Sequence, residues 1–251
     1  MTIPTPLPEQ FLMRAKALIA VALATALIGC SPKSDTGFDQ KVHAYLLAHP
    51  EVIEEALTKG QEQKQAKAAA DAQSAIHNRM AALANDPRDF VANPGGKVTV
   101  VEFFDYRCPY CKVARPALME LIAKDKDIRF VFKEYPILDS EGRPGVSKRA
   151  ALAAMAGMSS GKYLMLHNAL MAKRALDDPD ILAALTANGL DPAAALKDTP
   201  EADKHLADTF TLATAIGVTG TPSFIVNGKR IDGADMAALS AAIAEAKKAK
   251  S

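Results

Sequence analysis

Apolar residues recur at helical spacing in the first third of the chain. An i, i+4, i+7, i+8 spacing relates four of them: Phe38, Val42, Tyr45 and Leu46. That spacing predicts an amphipathic helix. Pro50 interrupts it and begins a second helix, since proline lacks only a donor that the first helical turn does not use. The apolar stripe thins over residues 61–84, so the sequence predicts a sparsely apolar helical stalk over residues 38–85.

So thin a stripe buries little area by itself, and the stalk therefore needs a surface to pack against. Two interpretations are open. The stalk either associates with other copies of the chain or packs back on the remaining residues as a passive strut. Self-association is favoured, because the apolar residues at positions 38–57 have no evident complement elsewhere in the sequence. We expect a homo-oligomer.

The pattern changes from helical to extended near residue 97. Residues 97–105 form a nearly continuous apolar run rich in β-branched and aromatic side chains, which predicts a buried strand. A helix is predicted from about residue 109 to residue 123, and a second strand over residues 128–136. Helical periodicity then dominates a block at about 142–216, with breaks at glycine and proline.

The chain ends with a predicted hairpin and helix. Residues 223–226 and 229–231 read as two strands joined by Asn227-Gly228, a strong hairpin turn. The stretch 235–248 reads as a closing helix. The order β-α-β, helical block, β-β-α predicts an α/β fold with an inserted helical domain, preceded by the helical stalk.

The first thirty residues have the organisation of an export signal. Arg14 and Lys16 precede an uncharged apolar stretch, so residues 1–29 are predicted to be a signal peptide. The sequence Leu-Ile-Gly-Cys at 27–30 resembles the bacterial lipobox, in which the cysteine is acylated, so Cys30 is a candidate lipidation site and residues 30–37 a tether. An ordinary secretory signal, with Cys30 incidental, is the alternative. Both place the protein where disulfides persist.

Composition narrows the function classes. Thirty basic and twenty-nine acidic residues give a formal charge of +1, which argues against nucleic-acid binding. Tryptophan is absent and aromatic residues make up only 6%, so a stacking platform for single strands is also disfavoured. Three cysteines are too few for a disulfide-stapled scaffold. Each cysteine therefore needs its own explanation.

Two of the cysteines form a Cys-Pro-Tyr-Cys motif where the first strand gives way to a helix. Cys108 falls at the helix start, where free N–H groups and the helix dipole stabilise a thiolate. Cys111, one turn later, is positioned to resolve mixed disulfides. Metal binding is the competing interpretation, but a zinc site needs about four ligands. The five histidines, at positions 43, 49, 77, 167 and 205, show no spacing that converges on Cys108. We expect neither a metal nor a cofactor.

A second motif supports redox chemistry. Thr221-Pro222 precedes a strand, and a proline at such a position commonly follows a cis peptide bond. Three segments, at 101–111, 132–137 and 217–228, together resemble the thioredoxin superfamily and, within it, the periplasmic DsbA-like branch with its ScsC-type and DsbG-type proteins. The resemblance covers about residues 88–248, and we assign 88–250 to a DsbA-like thioredoxin domain.

The resemblance assigns roles to the cysteine motif and its neighbours. Cys108 matches the nucleophile of the family and Cys111 its resolving cysteine. Pro109 and Tyr110 match the dipeptide that tunes the redox potential and contacts substrate. The interpretation requires that the Cys108 sulfur is not sealed from solvent.

The resemblance also assigns roles outside that motif. Thr221 and Pro222 match the cis-proline loop that faces the disulfide and binds an extended substrate. Glu102 matches an acidic residue that assists proton transfer at the deeper cysteine, with a paired strand-end carboxylate as the alternative. Lys133 is a candidate partner for Glu102.

The stalk carries a weaker resemblance. Residues 45–57 resemble the N-terminal stalk of ScsC-type proteins, which forms trimers. The resemblance as a whole implies a thiol-disulfide oxidoreductase that forms or isomerises disulfides in unfolded or misfolded secreted proteins with cysteines. Isomerase activity is favoured, because an oligomer would bring several active sites to one space and threonine precedes Pro222, as in isomerases.

Two other functions are open. One is a plain dithiol oxidase that a membrane redox partner regenerates. The other is a non-catalytic surface lipoprotein that keeps the thioredoxin scaffold for binding. All of these place the protein in the periplasm, and the lipobox interpretation of residues 27–30 adds a membrane anchor through a lipid on Cys30.

Overall fold

The computed structural model describes residues 36–139 and 145–249. The predicted signal peptide 1–29 and lipidation site Cys30 lie outside the described residues, as does the tether up to residue 35. The chain forms two units, divided between Gln63 and Lys64. Within the described ranges, none of the helices combines the length and apolar character needed to cross a bilayer.

The first unit is helical. Helix α1 (Thr36–Ala48) begins two residues earlier than the predicted stalk, so the expected tether ends in helix. Helix α2 (Pro50–Asn78) starts at Pro50, as predicted, and its residues up to Gln63 belong to this unit. Apolar side chains of this unit are exposed: Phe38, Val42, Tyr45, Leu47, Ile53 and Leu57.

The second unit is built on a five-stranded sheet. Its strands are β1 (Phe90–Ala92), β2 (Val98–Phe104), β3 (Ile128–Glu134), β4 (Ser223–Val226) and β5 (Lys229–Asp232). They lie in the order β1-β3-β2-β4-β5, with β2 and β3 parallel and the remaining pairs antiparallel. Strand β1 was not predicted, since three residues carry too little periodicity. The hairpin turn was predicted, and both Asn227 and Gly228 have the positive φ that it requires.

Helices connect the strands in the predicted order. Helix α4 (Pro109–Lys124) joins β2 to β3, and α10 (Met236–Lys248) follows β5. The described residues between β3 and β4 form five helices: α5 (Val146–Ala156), α6 (Tyr163–Met171), α7 (Asp178–Ala187), α8 (Pro192–Ala195) and α9 (Pro200–Ala215). Asp177, Asp191 and Thr199 cap α7, α8 and α9 through their side-chain oxygens. The predicted breaks are thus helix starts, because a capping oxygen followed by proline satisfies the first turn.

The sheet has two differently covered faces, because side chains alternate along each strand. On one, which we call the dithiol face, Phe104 and Phe132 pack in the same cluster as Cys111 and Leu118 of α4. The second, which we call the linker face, carries another apolar cluster. Its members come from the sheet, from the segment before it and from the end of α9 with the residues that follow, and include Ile76, Leu83, Val101, Phe103 and Val131.

The C-terminal end of the predicted stalk belongs to the linker face. Helix α2 ends at Asn78, and the short helix α3 (Met80–Ala84) follows. Ile76 and Leu83 are fully buried there. For this part of the stalk, the structure matches the strut interpretation rather than self-association.

Candidate active site

Cys108 occupies the position that the sequence predicts, at the start of a helix. Strand β2 ends at Phe104, and Cys108 is the N-cap of α4 with φ −68° and ψ 119°. Pro109 follows at the first helical position, where its missing N–H costs nothing. The free N–H groups of the first turn therefore point toward the Cys108 side chain.

Asp105 fixes the loop that delivers Cys108, a role that sequence reasoning missed. Its Oδ1 accepts hydrogen bonds from the Arg107 N–H at 2.7 Å and the Ser147 hydroxyl at 2.9 Å, and its Oδ2 accepts from the Leu138 N–H at 2.9 Å. Burial raises the pKa of this carboxyl, against the effect of those donors. An aspartate directly after a buried strand, two residues before the N–H that it accepts, was the available signal.

The cis-proline loop lies against the nucleophile. The Thr221–Pro222 peptide bond is cis, as predicted. The Cys108 thiol donates to the carbonyl oxygen of Thr221, with the two atoms 3.1 Å apart. Thr221 is thereby placed at the sulfur through its backbone, although 113 positions separate the two residues.

The nucleophile is largely covered. Only 4% of Cys108 is exposed, compared with 66% of Tyr110. Cys108 is thus more enclosed than the sequence predicts, whereas the two residues that follow it, Pro109 and Tyr110, are exposed.

The two cysteines are free thiols in different environments. A hydrogen bond from Cys111, together with the N–H groups of Cys111 and Tyr110, lowers the pKa of Cys108 to about 6 against the opposing effect of burial. Cys111 is 1% exposed. Burial, and then the hydrogen bond with Cys108 and the charge of Glu102, raise the pKa of Cys111 well above its ordinary value. The outer sulfur is therefore a thiolate at neutral pH while the inner one keeps its proton.

Glu102 lies beneath the pair on the dithiol face. It is buried in β2, and burial followed by the negative charge of Cys108 raises its pKa to about 8. A carboxyl group with such a pKa can hold or release a proton near neutrality. This is the behaviour expected of a group that exchanges a proton with a buried thiol.

The pairing of Glu102 with Lys133 was wrong. The strand register sets Glu102 opposite Phe132, so Lys133, one residue further, projects from the other face of the sheet. Its Nζ lies 2.5 Å from Asp89 Oδ2 and donates to the carbonyl of Ala82 at 2.9 Å. Glu102 has no ion-pair partner within 4.0 Å among the residues that the structure describes.

A second buried carboxyl group on the dithiol face was missed. Glu134 Oε1 accepts hydrogen bonds from the hydroxyls of Tyr163, at 2.7 Å, and Tyr106, at 3.1 Å. The Tyr106 hydroxyl also lies 3.2 Å from His167 Nδ1. Burial raises the pKa of Glu134 well above its ordinary value and lowers that of His167 to about 3. The alternation Phe130, Phe132, Glu134 was the signal that this carboxyl group faces the core.

The histidines do not assemble a metal site. His167 packs in the aromatic cluster of the dithiol face, and His205 is buried with its Nε2 3.3 Å from Asp89 Oδ1. Over residues 36–139 and 145–249, no three histidine, cysteine or acidic side chains come together in a way that could hold a metal ion.

Comparison with known families finds two matches. Residues 99–244 match the family described as DSBA-like thioredoxin domain. Residues 37–67 match the family described as copper resistance protein ScsC N-terminal domain. The first covers the sheet from β2 onward, without β1, together with the dithiol and the cis-proline loop. The second covers α1 from its second residue and the first part of α2.

Solved structures are similar over most of the chain. A thioredoxin-like oxidoreductase from Silicibacter pomeroyi is 38% identical, with a TM-score of 0.60 over 67% of this chain and 97% of that one. BcfH of Salmonella enterica Typhimurium is 29% identical, with a TM-score of 0.65 over 93% and 99%. Proteus mirabilis ScsC in a transitional conformation is 26% identical, with a TM-score of 0.61 over 86% and 98%.

The curated relatives are longer proteins. A Na⁺/H⁺ antiporter NhaA of Salinispora tropica is 36% identical over 174 residues, which is 64% of this chain. The chain spans about a quarter of the length of that relative.

Proposed function

This chain belongs to the DSBA-like thioredoxin family, and from that premise we propose that it catalyses thiol–disulfide exchange in exported proteins through Cys108 and Cys111. One observation carries the proposal. The outer thiol, with its pKa lowered to about 6, lies at a helix start against the Thr221 carbonyl, while the inner thiol is buried and protonated.

The reaction begins at Cys108. Its thiolate attacks one sulfur of a substrate disulfide, which forms a mixed disulfide and releases the other substrate sulfur as a thiolate. In isomerisation, a second substrate thiolate attacks the substrate sulfur of that mixed disulfide and expels the Cys108 thiolate. No net oxidation occurs, and a different substrate disulfide remains.

When the substrate disulfide does not rearrange, Cys111 and Glu102 resolve the mixed disulfide and release the substrate. Once Cys108 is in the mixed disulfide, its negative charge no longer raises the pKa of Glu102, and the ionised form of Glu102 takes the proton of Cys111. Cys111 then attacks the Cys108 sulfur, and the substrate leaves as a thiolate. The protein then holds the Cys108–Cys111 disulfide, and the substrate has gained two electrons. The reverse sequence oxidises a substrate dithiol, and Glu102 then returns the proton to Cys111.

Substrate lies over the loop and the helix start. Thr221 and Pro222 border the sulfur, and the backbone of Thr221 is suited to pairing with an extended polypeptide. Tyr110, two residues beyond Cys108, is exposed and supplies an apolar contact. Substrates are unfolded or misfolded secreted proteins with cysteines, which present extended chain and reactive sulfur together.

Isomerisation also requires the first unit, through which copies of the chain associate. Exposed apolar residues of α1 and α2, including Leu47 and Leu57, are the surface through which copies of the chain associate, as trimers by likeness to the ScsC N-terminal family. Several active sites would then act on one substrate. The protein works in the periplasm, where a lipid on Cys30 anchors it.

A plain dithiol oxidase, regenerated by a membrane redox partner, is the second candidate. It is favoured by the low pKa of Cys108, because a stable thiolate makes the reduced form stable and the disulfide oxidising.

Recovery of activity in scrambled ribonuclease tests the proposal. We expect the wild type to restore activity, Cys108→Ser to restore none, and Cys111→Ser to accumulate a mixed disulfide detectable by mass. A Leu47→Glu/Leu57→Glu variant should be smaller by light scattering and lose reshuffling while it still oxidises a reduced peptide.

Activity in Cys108→Ser would overturn the nucleophile assignment. Oxidation of the peptide by the wild type without recovery of scrambled ribonuclease would leave the oxidase as the function.

A further inference from the structure

A basic cleft borders the dithiol. It consists of two adjoining depressions that share Lys112 and Arg174, between the first two turns of α4 and the segment after α6. Four cationic side chains line it: Arg107, Lys112, Arg115 and Arg174. Pro109, the residue next to the nucleophile, also lines it, so the cleft opens directly beside the reactive sulfur.

Most of these cations lack an anionic partner. Among the described residues, no carboxylate lies within 4.0 Å of Lys112, Arg115 or Arg174. Arg107 lies 3.7 Å from Asp139. Asp177 also lines the cleft, but its Oδ1 accepts the N–H of Asp180 as the cap of α7. The cleft therefore carries an excess of positive charge, although the whole chain is close to neutral.

Hydrogen bonds hold two of the cationic side chains of the cleft in place. Lys112 Nζ donates to the Arg174 carbonyl at 3.3 Å, and Arg115 Nη1 donates to Asn168 Oδ1 at 3.0 Å, so both side chains join α4 to the opposite wall. Arg115 Nε is buried and has no hydrogen-bond partner among residues 36–139 and 145–249, and partial burial lowers the pKa of Lys112. Burying a cation without an anionic partner costs free energy, and a carboxylate bound beside it lowers that cost.

We propose that this cleft binds acidic side chains next to the target cysteine of a substrate polypeptide. The inference rests on the proposed thiol–disulfide exchange and adds a substrate preference to it. A cysteine held at Cys108 places its neighbouring residues over Pro109 and the cleft, where carboxylates meet unpaired guanidinium and ammonium groups. Val113, which is exposed and lines the cleft, contacts the aliphatic part of the same segment.

Two peptide disulfides test the preference. Each is a symmetrical dimer of a peptide with one cysteine and one tryptophan, flanked by glutamates in one peptide and by glutamines in the other. The reduced protein attacks either sulfur with the same result, and two peptide thiols form as the protein becomes oxidised. The protein has no tryptophan, so tryptophan absorbance quantifies the disulfide dimer and the reduced peptide once the two are separated.

We expect the wild type to reduce the glutamate peptide about fivefold faster than the glutamine peptide at low salt, with the ratio falling as salt is added. Arg174→Glu should bring the ratio to about one or below it, since charge repulsion replaces attraction. Lys197→Glu is the matched control. It makes the same charge change at an exposed lysine outside the cleft and should keep the wild-type ratio.

The outcomes separate this proposal from the general one. If the wild type reduces neither peptide, the proposed function fails. If it reduces both at equal rates, or if Arg174→Glu slows both in the same proportion, the acidic preference is wrong and the exchange activity stands. A loss of the ratio in Lys197→Glu as well would mean that only net charge matters, which also overturns the cleft.

Discussion

The dithiol face and the linker face of the sheet both bury carboxyl groups, but the groups that surround these carboxyls differ. On the linker face, Asp89 contacts two bases, Lys133 Nζ at 2.5 Å and His205 Nε2 at 3.3 Å. On the dithiol face, the hydrogen bonds to Glu134 within the described part of the chain come from two tyrosine hydroxyls, and Glu102 interacts with the charge of Cys108. The same residue chemistry thus produces an ion pair with Lys133 on one face and carboxyl groups with a raised pKa on the other.

The two faces differ in whether a buried carboxyl group has a cation beside it. A buried carboxylate beside a cation stays charged and ties together the elements that carry the two charges. Here it ties the residues before β1 to β3 and α9. A buried carboxyl group without a cation lowers its free energy by keeping a proton. The linker face therefore uses charge to hold structure, whereas the dithiol face keeps protons close to the sulfur chemistry.

Of the substitutions that test this difference between the faces, removal of Lys133 should change the free energy of unfolding most. Lys133→Met leaves the buried Asp89 carboxylate without its nearest cation, and we expect a loss of about 3–5 kcal/mol in the free energy of unfolding. Urea unfolding measures it. The rate at which folded protein reduces a peptide disulfide should stay close to that of the wild type, because Lys133 projects away from the dithiol.

The control for Lys133→Met is the double variant Asp89→Asn/Lys133→Met, which removes both charges of the pair and should recover part of the loss. On the other face, Glu134→Gln removes a carboxyl group without a cation and should cost only about 1 kcal/mol. Losses that add in the double variant, or an equal loss in Glu134→Gln, would contradict the distinction between the faces.

Glu102→Gln should change the pH dependence of stability. The unfolded carboxyl group loses its proton near its ordinary pKa of 4.5, whereas the folded group keeps it up to about 8. Between these values the folded state binds more protons than the unfolded state, so this group makes folding less favourable as pH rises. We expect Glu102→Gln to gain stability relative to the wild type by about 1.4 kcal/mol for each pH unit in that window.

Urea unfolding of both reduced proteins at several pH values between about 5 and 7 measures the difference. Cys108 acts in the opposite direction, since its lowered pKa of about 6 makes folding more favourable as pH rises from there toward its ordinary value of 9.0. Both proteins contain Cys108, so most of its own contribution cancels in the difference between them. Parallel pH profiles would show that Glu102 is charged in the folded protein.

The smallest expected effect compares one tyrosine hydroxyl on each face. Tyr163→Phe removes a 2.7 Å hydrogen bond to buried Glu134 and should cost about 1 kcal/mol of unfolding free energy. Tyr135→Phe, on the linker face, removes a 3.4 Å contact with the Val218 carbonyl and should cost less, because that hydrogen bond is longer. A Tyr135→Phe cost equal to that of Tyr163→Phe would remove this difference between the faces.

Local features of the site could be read from the sequence. The strand, the Cys-Pro-Tyr-Cys motif and the helix that follows are adjacent in the chain, so periodicity and capping rules place Cys108 without knowledge of the fold. The hairpin at Asn227 and the breaks before α7, α8 and α9 are equally local. Thr221 and Pro222 were placed at the sulfur by family resemblance, and the structure brings Thr221 into contact with it.

Long-range pairing could not be read in the same way. Lys133 was paired with Glu102 because both lie in strands beside the site, but the choice of face depends on a register that only the sheet fixes. The contact between Asp89 and His205 joins residues more than a hundred positions apart. Arg174 likewise reaches Lys112 only through the packing of α4 against the segment after α6.

The contact between the Cys108 thiol and the Thr221 carbonyl has a consequence for timing. In the protonated state, the S–H group occupies that oxygen. Once the proton leaves, sulfur has no hydrogen to donate, and the carbonyl becomes available to the backbone N–H of an arriving polypeptide. A single ionisation thus prepares the attacking atom and vacates the acceptor next to it, so docking and reactivity rise together with pH.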